Sequence, residues 1–191
     1  MIADDGYRSA MTTGPGVDPS LGRCVEATRG LFGAAACSIA VVDDDGGTLE
    51  FVASHGAGAD EIVGVTIPVS RGIAGWAAMS GQPIAVRDVQ ADARFARDVA
   101  ESTHYVPNAI YAAPMLDPEG EVLGVLSVLD PVVDESSDWT LNVLGTIAGL
   151  IAMVMNATTG VPADAQPLAQ LGSDVLRLVA SWQAGEPGRP G

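Results

Sequence analysis

The chain has 191 residues, 48% hydrophobic and 17% charged, which is enough apolar material for one domain of about 100–150 residues with flanking segments. Its formal charge is −15, from 24 acidic and 9 basic residues, and the basic residues include no lysine. Such a surface repels phosphate groups, which excludes nucleic acid and an anionic membrane surface as partners.

The two cysteines of the chain, Cys24 and Cys37, are too few for a disulfide framework. The sequence also contains no Cys-X-X-Cys pair and no Cys/His cluster with zinc-ligand spacing, so we expect no metal site. A reducing, cytoplasmic location follows from this cysteine usage. Residues 1–16 contain no apolar stretch of the kind found in a signal peptide, and we expect a disordered leader there.

The predicted elements begin with a helix over 18–32 and two strands, 37–43 and 48–54, joined by an Asp/Gly-rich turn. The later elements are an extended segment at 65–69, a helix at 73–79, a strand at 83–89, a helical excursion at 91–102, strands at 108–116 and 122–129, and a helix at 137–156. Because hairpins alternate with helices, the order predicts an α+β fold with a mostly antiparallel sheet.

The last of these helices is unusually apolar. Residues 139–160 form a stretch without a charged side chain, and this stretch is long enough to span a membrane. Two of its glycines, Gly145 and Gly149, have GxxxG spacing. Thr140, Asn142 and Thr146 interrupt the apolar run, and neither end carries Lys or Arg to orient it in a bilayer. We therefore expect a helix that covers the sheet rather than a membrane anchor.

Two apolar stripes run along this helix, and only one of them can cover the sheet. We expect the stripe of Val143, Ile147, Leu150 and Val154 to do so, and the other to pair with a second copy of the chain. Another amphipathic helix is predicted over 167–184, between a linker at 159–166 and a loose tail at 185–191. The predicted dimer interface consists of Leu141, Leu144, Ala148, Ile151, Met155, Leu168, Leu171, Val175, Leu178 and Trp182.

Several segments together carry a family resemblance. They are RGIAGW at 71–76, SGQPIAVRDV at 80–89, DARF at 92–95, IYAAPM at 110–115 and GEVLGVL at 120–126. In combination they resemble the GAF domain family, over about residues 18–156, and we take 17–158 as the domain. The resemblance implies a central antiparallel sheet of five to six strands. It also implies that the first and last helices share one face, and that short helices and loops roof a small-molecule pocket on the other.

The resemblance also implies where ligand-binding residues would lie, because the roof corresponds to residues 92–108. The expected wall of the pocket consists of Trp76, Phe95, Val99, Tyr105 and Tyr111, and the expected polar contacts are Ser38, Arg97, His104 and Asn108. The alternative is that Trp76 and Phe95 simply fill the space between roof and sheet as core residues.

Three kinds of GAF relative have functional residues that this chain lacks. Bilin-binding members attach their pigment through a roof cysteine, and residues 102–105 contain none, so no covalent bilin is expected. Free-methionine-sulfoxide reductases use cysteines around the pocket, whereas Cys24 and Cys37 fall on the first predicted helix and strand. Cyclic-nucleotide-binding members have a signature that includes a lysine, and this chain contains none. Phe95 and Asp98 occupy the corresponding stretch, but the signature is incomplete, so specific cyclic-nucleotide binding is not expected.

Neither histidine has the neighbours that catalysis or metal binding requires. Ser54 and His55 are adjacent in a predicted strand, where successive side chains point to opposite faces, so they cannot form a Ser–His pair. We expect His55 to be a solvated turn residue before Gly56. His104 has no partner ligands in the sequence, and no haem is expected.

The sequence therefore predicts a non-catalytic sensory or regulatory GAF module. It would bind a small cytosolic ligand and signal through its terminal helices to another protein, as a homodimer. Two alternatives stay open: a ligand-free dimerisation or docking module, and an enzyme of the free-methionine-sulfoxide-reductase type.

Overall fold

The computed structural model describes residues 11–13, 19–132 and 139–159. The strands are β1 Met11–Thr13, β2 Ala36–Val42, β3 Thr48–Gly56, β4 Thr66–Pro68, β5 Ile84–Val86, β6 Ile110–Leu116 and β7 Val122–Leu129. The α-helices are α1 Pro19–Phe32, α2 Ala59–Ile62, α3 Gly72–Ser80, α4 Arg97–Ser102 and α5 Trp139–Thr159.

All seven strands belong to one antiparallel sheet. Six of them follow the order β1-β3-β2-β7-β6-β5, and β4 pairs with residues 48–50 of β3 while β1 pairs with residues 53–55. The two predicted hairpins, β2–β3 and β6–β7, are both present. Most strand pairs in the sheet are therefore between strands that are consecutive in the sequence. The pairing of β2 with β7 joins the two hairpins into one sheet.

Aspartates close both hairpin turns. The Asp43 carboxylate accepts hydrogen bonds from the backbone N–H groups of Gly47 and Thr48, at 2.8 and 2.9 Å, and from the Thr48 hydroxyl. These bonds, chiefly those from Thr48, hold the pKa of Asp43 below its usual value. Asp117 likewise accepts from the backbone N–H of Glu121 at 2.8 Å. Short polar residues thus stabilise the turns that set the register of the sheet.

The sheet separates two apolar cores. On one face α1 and α5 pack against the strands, and the fully buried side chains there include Val25, Phe32, Ile39, Met115, Leu126 and Leu144. On the other face α3 and the loops around it cover residues such as Leu49, Phe51 and Val125. The predicted GAF-like architecture, with terminal helices on one face and a roof on the other, is confirmed.

The stripes of α5 are used the other way round from the prediction. Leu144, Ala148 and Ile151 are buried against the sheet, whereas Leu150 is exposed. The partly buried apolar residues of the helix are Leu141, Val143, Ile147, Val154 and Met155. The prediction that Leu144, Ala148 and Ile151 form dimer contacts is therefore wrong, because these side chains are buried in the core of their own chain.

By length and composition, one stretch in the described part of the chain could cross a membrane, and it is Trp139–Asn156 within α5. About a quarter of this stretch, 28%, is buried inside the protein. A helix that covers a sheet in a soluble protein has the same length and composition, and α5 lies along β6 and β7.

The stretch from 91 to 102 is less helical than predicted. The Asp88 carboxylate accepts from the Ala91 backbone N–H, which closes a 3-10 turn at Val89–Ala91, and Asp92 accepts from the N–H of Arg94 at 2.9 Å. These local bonds compete with helix formation, so α4 begins only at Arg97. The strand predicted at 83–89 is accordingly short, and α2 was not predicted.

The chain termini differ from expectation in one place. Met11–Thr13, part of the leader expected to be disordered, forms β1 on the edge of the sheet. The linker, the C-terminal helix at 167–184 and the tail lie outside the described residues. Five predicted interface residues lie there as well, namely Leu168, Leu171, Val175, Leu178 and Trp182.

Candidate ligand-binding site

A cavity of about 110 Å³ lies between the sheet and the roof formed by α2, α3, α4 and the segment that leads into β6. The lining residues are Ala36, Ser38, Phe51, Ser54, Ala57, Gly58, Ile62, Ile67, Gly72, Ile73, Ala74, Phe95, Ala96, Val99, Ala100, Thr103, Tyr105, Pro107, Ile110, Ser127 and Leu129. Most of the wall is aliphatic or aromatic, as in pockets that bind small molecules.

Three serines form a row across the floor of the cavity. Ser38 in β2 lies directly opposite Ser54 in β3 and directly opposite Ser127 in β7. The Ser54 hydroxyl donates to the Cys37 carbonyl oxygen at 3.2 Å. Among the described residues, the hydroxyls of Ser38 and Ser127 have no hydrogen-bond partner, although these residues are only 6% and 5% exposed.

The roof approaches the sheet closely at Gly58. This residue has a φ of +71°, and a Cβ atom there would lie 2.9 Å from the carbonyl oxygen of Thr103. Thr103 is itself buried, and its hydroxyl donates to the Ala100 carbonyl oxygen at 2.9 Å. A glycine is needed at this point because any side chain would push the end of α4 away from the cavity.

Asp130 ties the other end of the roof to the sheet. It follows β7 with a φ of 48°, and its Oδ1 accepts from the backbone N–H groups of Asn108 and Ala109, each at 2.8 Å. Its Oδ2 accepts from the hydroxyl of Tyr105, which lines the cavity. One carboxylate therefore positions the whole segment from Tyr105 to Ala109.

Two ion pairs at the roof are formed by residues that do not line the cavity. Arg71 donates to Asp98, and Arg94 donates to Asp92 with an Nη2–Oδ2 distance of 2.6 Å. The Arg94 hydrogen bond lowers the pKa of Asp92 to about 2, and the Arg71 hydrogen bond lowers the pKa of Asp98. Arg94 also lies over the Trp76 ring, with 5.2 Å between its Cζ and the ring centroid.

The nine predicted ligand-binding residues separate into two groups. Ser38, Phe95, Val99 and Tyr105 line the cavity. Trp76, Arg97, His104, Asn108 and Tyr111 do not: Trp76 packs under Arg94, the next three are exposed, and Tyr111 is buried on the helix-covered face. Tyr111 faces away because it occupies the opposite side of β6 from Ala112, which faces the roof core.

The sequence prediction missed two of the three floor serines and the buried Thr103. Ser54 pairs with Ser38 within one hairpin, so the register of that hairpin was a usable signal. Ser127 comes from the other hairpin, and no local pattern indicates that β2 and β7 are neighbours. The serine row is therefore a product of long-range pairing.

The cysteines lie away from the cavity. Cys37 is fully buried on the helix-covered face, and this burial raises the pKa of its thiol well above the usual range. Cys24 is on α1 and packs partly buried against the same core. Within the described ranges, no group of three or more His, Cys, Asp or Glu side chains is placed to hold a metal ion.

The prediction for His55 is wrong. β3 continues to Gly56, so His55 is a strand residue on the helix-covered side and is only 7% exposed. Its buried Nδ1 has no hydrogen-bond partner in the described part of the chain. Burial, and then the charge of Arg29, lower the pKa of this imidazole, while Glu26 opposes the shift.

Comparisons with known proteins agree with this geometry. The family model for the GAF domain matches residues 18–155. A "cGMP-specific 3',5'-cyclic phosphodiesterase" of Drosophila melanogaster is 36% identical over 74 residues, which are 39% of this chain but only 6% of that protein. Other species of Drosophila have relatives of the same name with the same coverage.

Two solved structures illustrate the shared fold. The second GAF domain of DevS from Mycobacterium smegmatis has a TM-score of 0.59 and 19% identity, covering 74% of this chain and 96% of that one. The free methionine-R-sulfoxide reductase from Neisseria meningitidis, solved in complex with its substrate, has a TM-score of 0.57 and 22% identity. That match covers 70% of this chain and 74% of the reductase.

Proposed function

The chain belongs to the GAF domain family, and on that premise we propose that it is a non-catalytic regulatory module that binds a small molecule in the cavity. The observation that carries the proposal is the cavity floor, where the hydroxyls of Ser38 and Ser127 have no hydrogen-bond partner among the described residues. In the described part of the chain, the buried side-chain polar atom that lacks a partner is Nδ1 of His55, so the two serine hydroxyls are accessible from the cavity. They are therefore available to hydrogen-bond a ligand that enters it.

The construction of the roof supports ligand entry. No residue of α4 is buried, and its polar contacts are at the surface, such as the Arg71–Asp98 pair and the 3.3 Å hydrogen bond from Arg97 to the Gln90 carbonyl oxygen. A segment with few buried contacts opens at low free-energy cost. A ligand that contacts Phe95 and Val99 from below would favour the closed roof, which is a shift between two populations.

A response can reach the terminal helices through the sheet. Ser38 lies between Cys37 and Ile39, which are fully buried against the core formed by α1 and α5. Contact with the Ser38 hydroxyl therefore acts on a strand whose other side packs against α1 and belongs to the core that α1 shares with α5. We propose that these helices pass the change to a partner protein.

Several observations support a non-catalytic role over a reductase-type activity. Thiol chemistry needs an exposed, low-pKa thiolate, whereas the Cys37 thiol is buried and its pKa is raised. Neither Cys37 nor Cys24 lines the cavity. The likeness to the Neisseria reductase is a likeness of fold.

A ligand screen on the full chain tests the proposal. Thermal shift, followed by calorimetry of each hit, would compare neutral and charged metabolites, with cyclic GMP included because the curated relatives are named cGMP-specific phosphodiesterases. We expect at least one compound to raise the unfolding temperature in a dose-dependent way, and to slow hydrogen exchange in α4. Uniform silence across the set would overturn the proposal.

Two tryptophan variants separate cavity binding from surface binding. Val99→Trp fills the cavity from the roof and should abolish binding of any hit. Val106→Trp places the same side chain at a partly exposed position outside the cavity lining, and should leave binding unchanged. Equal loss in both variants, or in neither, would place the ligand elsewhere.

A second candidate function is self-association through α5, with or without a ligand. Trp139 and Met153 are 61% and 63% exposed on a helix without a charged residue, and Leu150 lies near Met153 on the same side. Two copies of a chain with a charge of −15 repel each other except where they meet at uncharged surface. This face is therefore the one on which we propose a second copy packs.

Light scattering on the double variant Leu150→Asp/Met153→Asp tests this candidate. We expect the mass of a dimer for the unmodified chain and of a monomer for the variant, since each buried carboxylate would lack a partner. Met79→Asp is the matched control, because Met79 is equally exposed but lies on α3. A monomeric mass for the unmodified chain would remove this candidate.

A further inference from the structure

The cavity wall contains no charged side chain among the residues that the structure describes. Of the arginines near the roof, Arg71 pairs with Asp98 and Arg94 pairs with Asp92. Arg97 is exposed and outside the cavity lining, where it donates to the Gln90 carbonyl oxygen and its Cζ lies 5.8 Å from the centroid of the Phe95 ring. The carboxylate beside Tyr105, that of Asp130, accepts hydrogen bonds from three donors. A charged ligand would enter this space without a counter-charge, which costs several kcal/mol for each ionised group.

The polar groups of the cavity are few and most are occupied. The hydroxyls of Ser54 and Thr103 donate to backbone carbonyl oxygens, at 3.2 and 2.9 Å. Ser38 and Ser127 are left, and they are a directly opposed pair on adjacent antiparallel strands. Cβ atoms in such pairs are about 5 Å apart, so both hydroxyls can reach one ligand atom. A hydroxyl donates and accepts, so the pair suits a neutral hydroxyl, carbonyl or amide group.

The size of the cavity limits what can bind. Its volume of about 110 Å³ is below that of pockets for drug-sized ligands, which begin at about 300 Å³. An apolar cavity of about 150 Å³ holds a benzene molecule, which is a closer comparison. A ligand with roughly six to nine non-hydrogen atoms therefore fits, with its apolar part against Phe95, Val99 and Ile73.

We infer that the ligand of this chain is a small uncharged molecule, mostly apolar, with one hydrogen-bonding group held between the hydroxyls of Ser38 and Ser127. The inference rests on the proposed function, because it describes the ligand of the same cavity. It also distinguishes this chain from a receptor for nucleotides or amino acids, whose charges the cavity wall does not balance.

Two pairs of isosteric probes test the two parts of the inference. Phenol and toluene differ by a hydroxyl in place of a methyl group, and benzamide and benzoate differ by charge. Amide chemical shifts of the full chain would be followed during titration with each compound. We expect phenol and benzamide to shift residues 38 and 127, toluene to bind about tenfold more weakly than phenol, and benzoate not to bind.

Serine-to-alanine variants assign the effect to the two hydroxyls. Ser38→Ala/Ser127→Ala should lower the affinity for phenol to that for toluene, and leave toluene binding unchanged, which also shows that the cavity is intact. Ser80→Ala is the matched control, because Ser80 is at the end of α3 outside the cavity lining and its hydroxyl donates to the Ala77 carbonyl oxygen. We expect this control to keep the preference for phenol.

The outcomes separate this inference from the proposed function. Benzoate binding as tightly as benzamide, or a metabolite hit that is charged and binds in the cavity, would overturn the inference and leave the regulatory proposal standing. Equal affinity for phenol and toluene, or no shift with any of the four probes, would also overturn it. Silence of both the probes and the metabolite screen would overturn the two together.

Discussion

At the scale of single residues, Asp130 does the most to hold the roof in place. Asp130→Ala removes the acceptor for the backbone N–H groups of Asn108 and Ala109 and for the Tyr105 hydroxyl. We expect the free energy of unfolding to fall by about 2–3 kcal/mol, since bonds to a charged acceptor are among the stronger ones. The amide hydrogens of residues 108 and 109 should exchange much faster.

A conservative variant separates the hydrogen bonds from the backbone conformation. Asp130→Asn keeps one acceptor oxygen and tolerates the positive φ of 48° at this position. It should retain most of the protection at residues 108 and 109, which chemical denaturation and hydrogen exchange would measure. If Asp130→Ala and Asp130→Asn behave alike, the carboxylate does not position this segment.

His55 gives the fold a dependence on pH in the mildly acidic range. Its pKa in the folded chain is below the usual 6.5, mainly because of burial and next because of Arg29, with Glu26 opposing. The unfolded chain therefore takes up a proton at a pH where the folded chain does not. We expect the free energy of unfolding to be unaffected above pH 6.5 and to fall as the pH drops below it, until the folded imidazole also titrates.

Denaturation of His55→Leu at several pH values checks this sign. The difference in unfolding free energy between the variant and the unmodified chain should be constant above pH 6.5 and shift in favour of the variant below it. The lowered pKa values of Asp92, Asp98 and Asp43 act in a separate, more acidic range, below their usual 3.8. If the difference in unfolding free energy between His55→Leu and the unmodified chain does not change with pH down to that range, the pH dependence of stability does not come from His55.

At the scale of elements, the two sides of α5 have unequal parts in stability. Leu144→Ala removes a side chain that is fully buried between the helix and the sheet, and should cost about 2–5 kcal/mol. Leu150→Ala is the matched control on the exposed side of the same helix, with an expected change within about 0.5 kcal/mol. Urea denaturation of both variants measures this, and equal costs would mean that the sheet-facing side has been misplaced.

The elements also show what a sequence can and cannot predict. Both hairpins could be predicted, because an Asp/Gly turn between two apolar runs is a local signal. The side of α5 that meets the sheet could not, because its two apolar stripes have the same period and differ only in what they contact. The same limit applies to the cavity floor, since Ser38 and Ser127 meet through a pairing of distant strands.

Aromatic residues misled the site prediction for a related reason. Trp76 and Tyr111 were predicted to line the pocket, yet Trp76 packs beneath Arg94 and Tyr111 belongs to the core under α1 and α5. The serines on the cavity floor are weaker signals in a sequence, because a single serine in a strand is common. Their role is visible only once the strand pairing that brings them together is known. The exposed His104 and Asn108 lie in the roof segment as expected, but outside the cavity lining.

At the scale of the whole molecule, the net charge of −15 affects stability. The two ion pairs among the described residues, Arg71–Asp98 and Arg94–Asp92, are at the surface, where each is worth about 0–1 kcal/mol. Over the whole chain acidic residues exceed basic ones by 15, so repulsion among carboxylates is the larger electrostatic effect.

Added salt should consequently stabilise the chain. We expect the unfolding temperature to rise on the order of 5 °C between low ionic strength and 0.5 M sodium chloride, because screening weakens the repulsion caused by the excess of acidic groups more than it weakens attraction between opposite charges. Calorimetry at fixed pH measures this. A lower unfolding temperature in salt would mean that attractive pairs dominate instead.

The serine row occupies a sheet that is only one layer of backbone thick. At Cys37–Ser38–Ile39 the middle side chain lines the cavity, while its two neighbours are buried in the core that α1 and α5 cover. A ligand in the cavity is thus separated from the helix-covered core by the thickness of one β-strand. Under the proposed function, ligand contact at Ser38 and helix contact at Cys37 and Ile39 would therefore belong to three consecutive residues, so no longer chain of side chains would be needed to connect the two faces of the sheet.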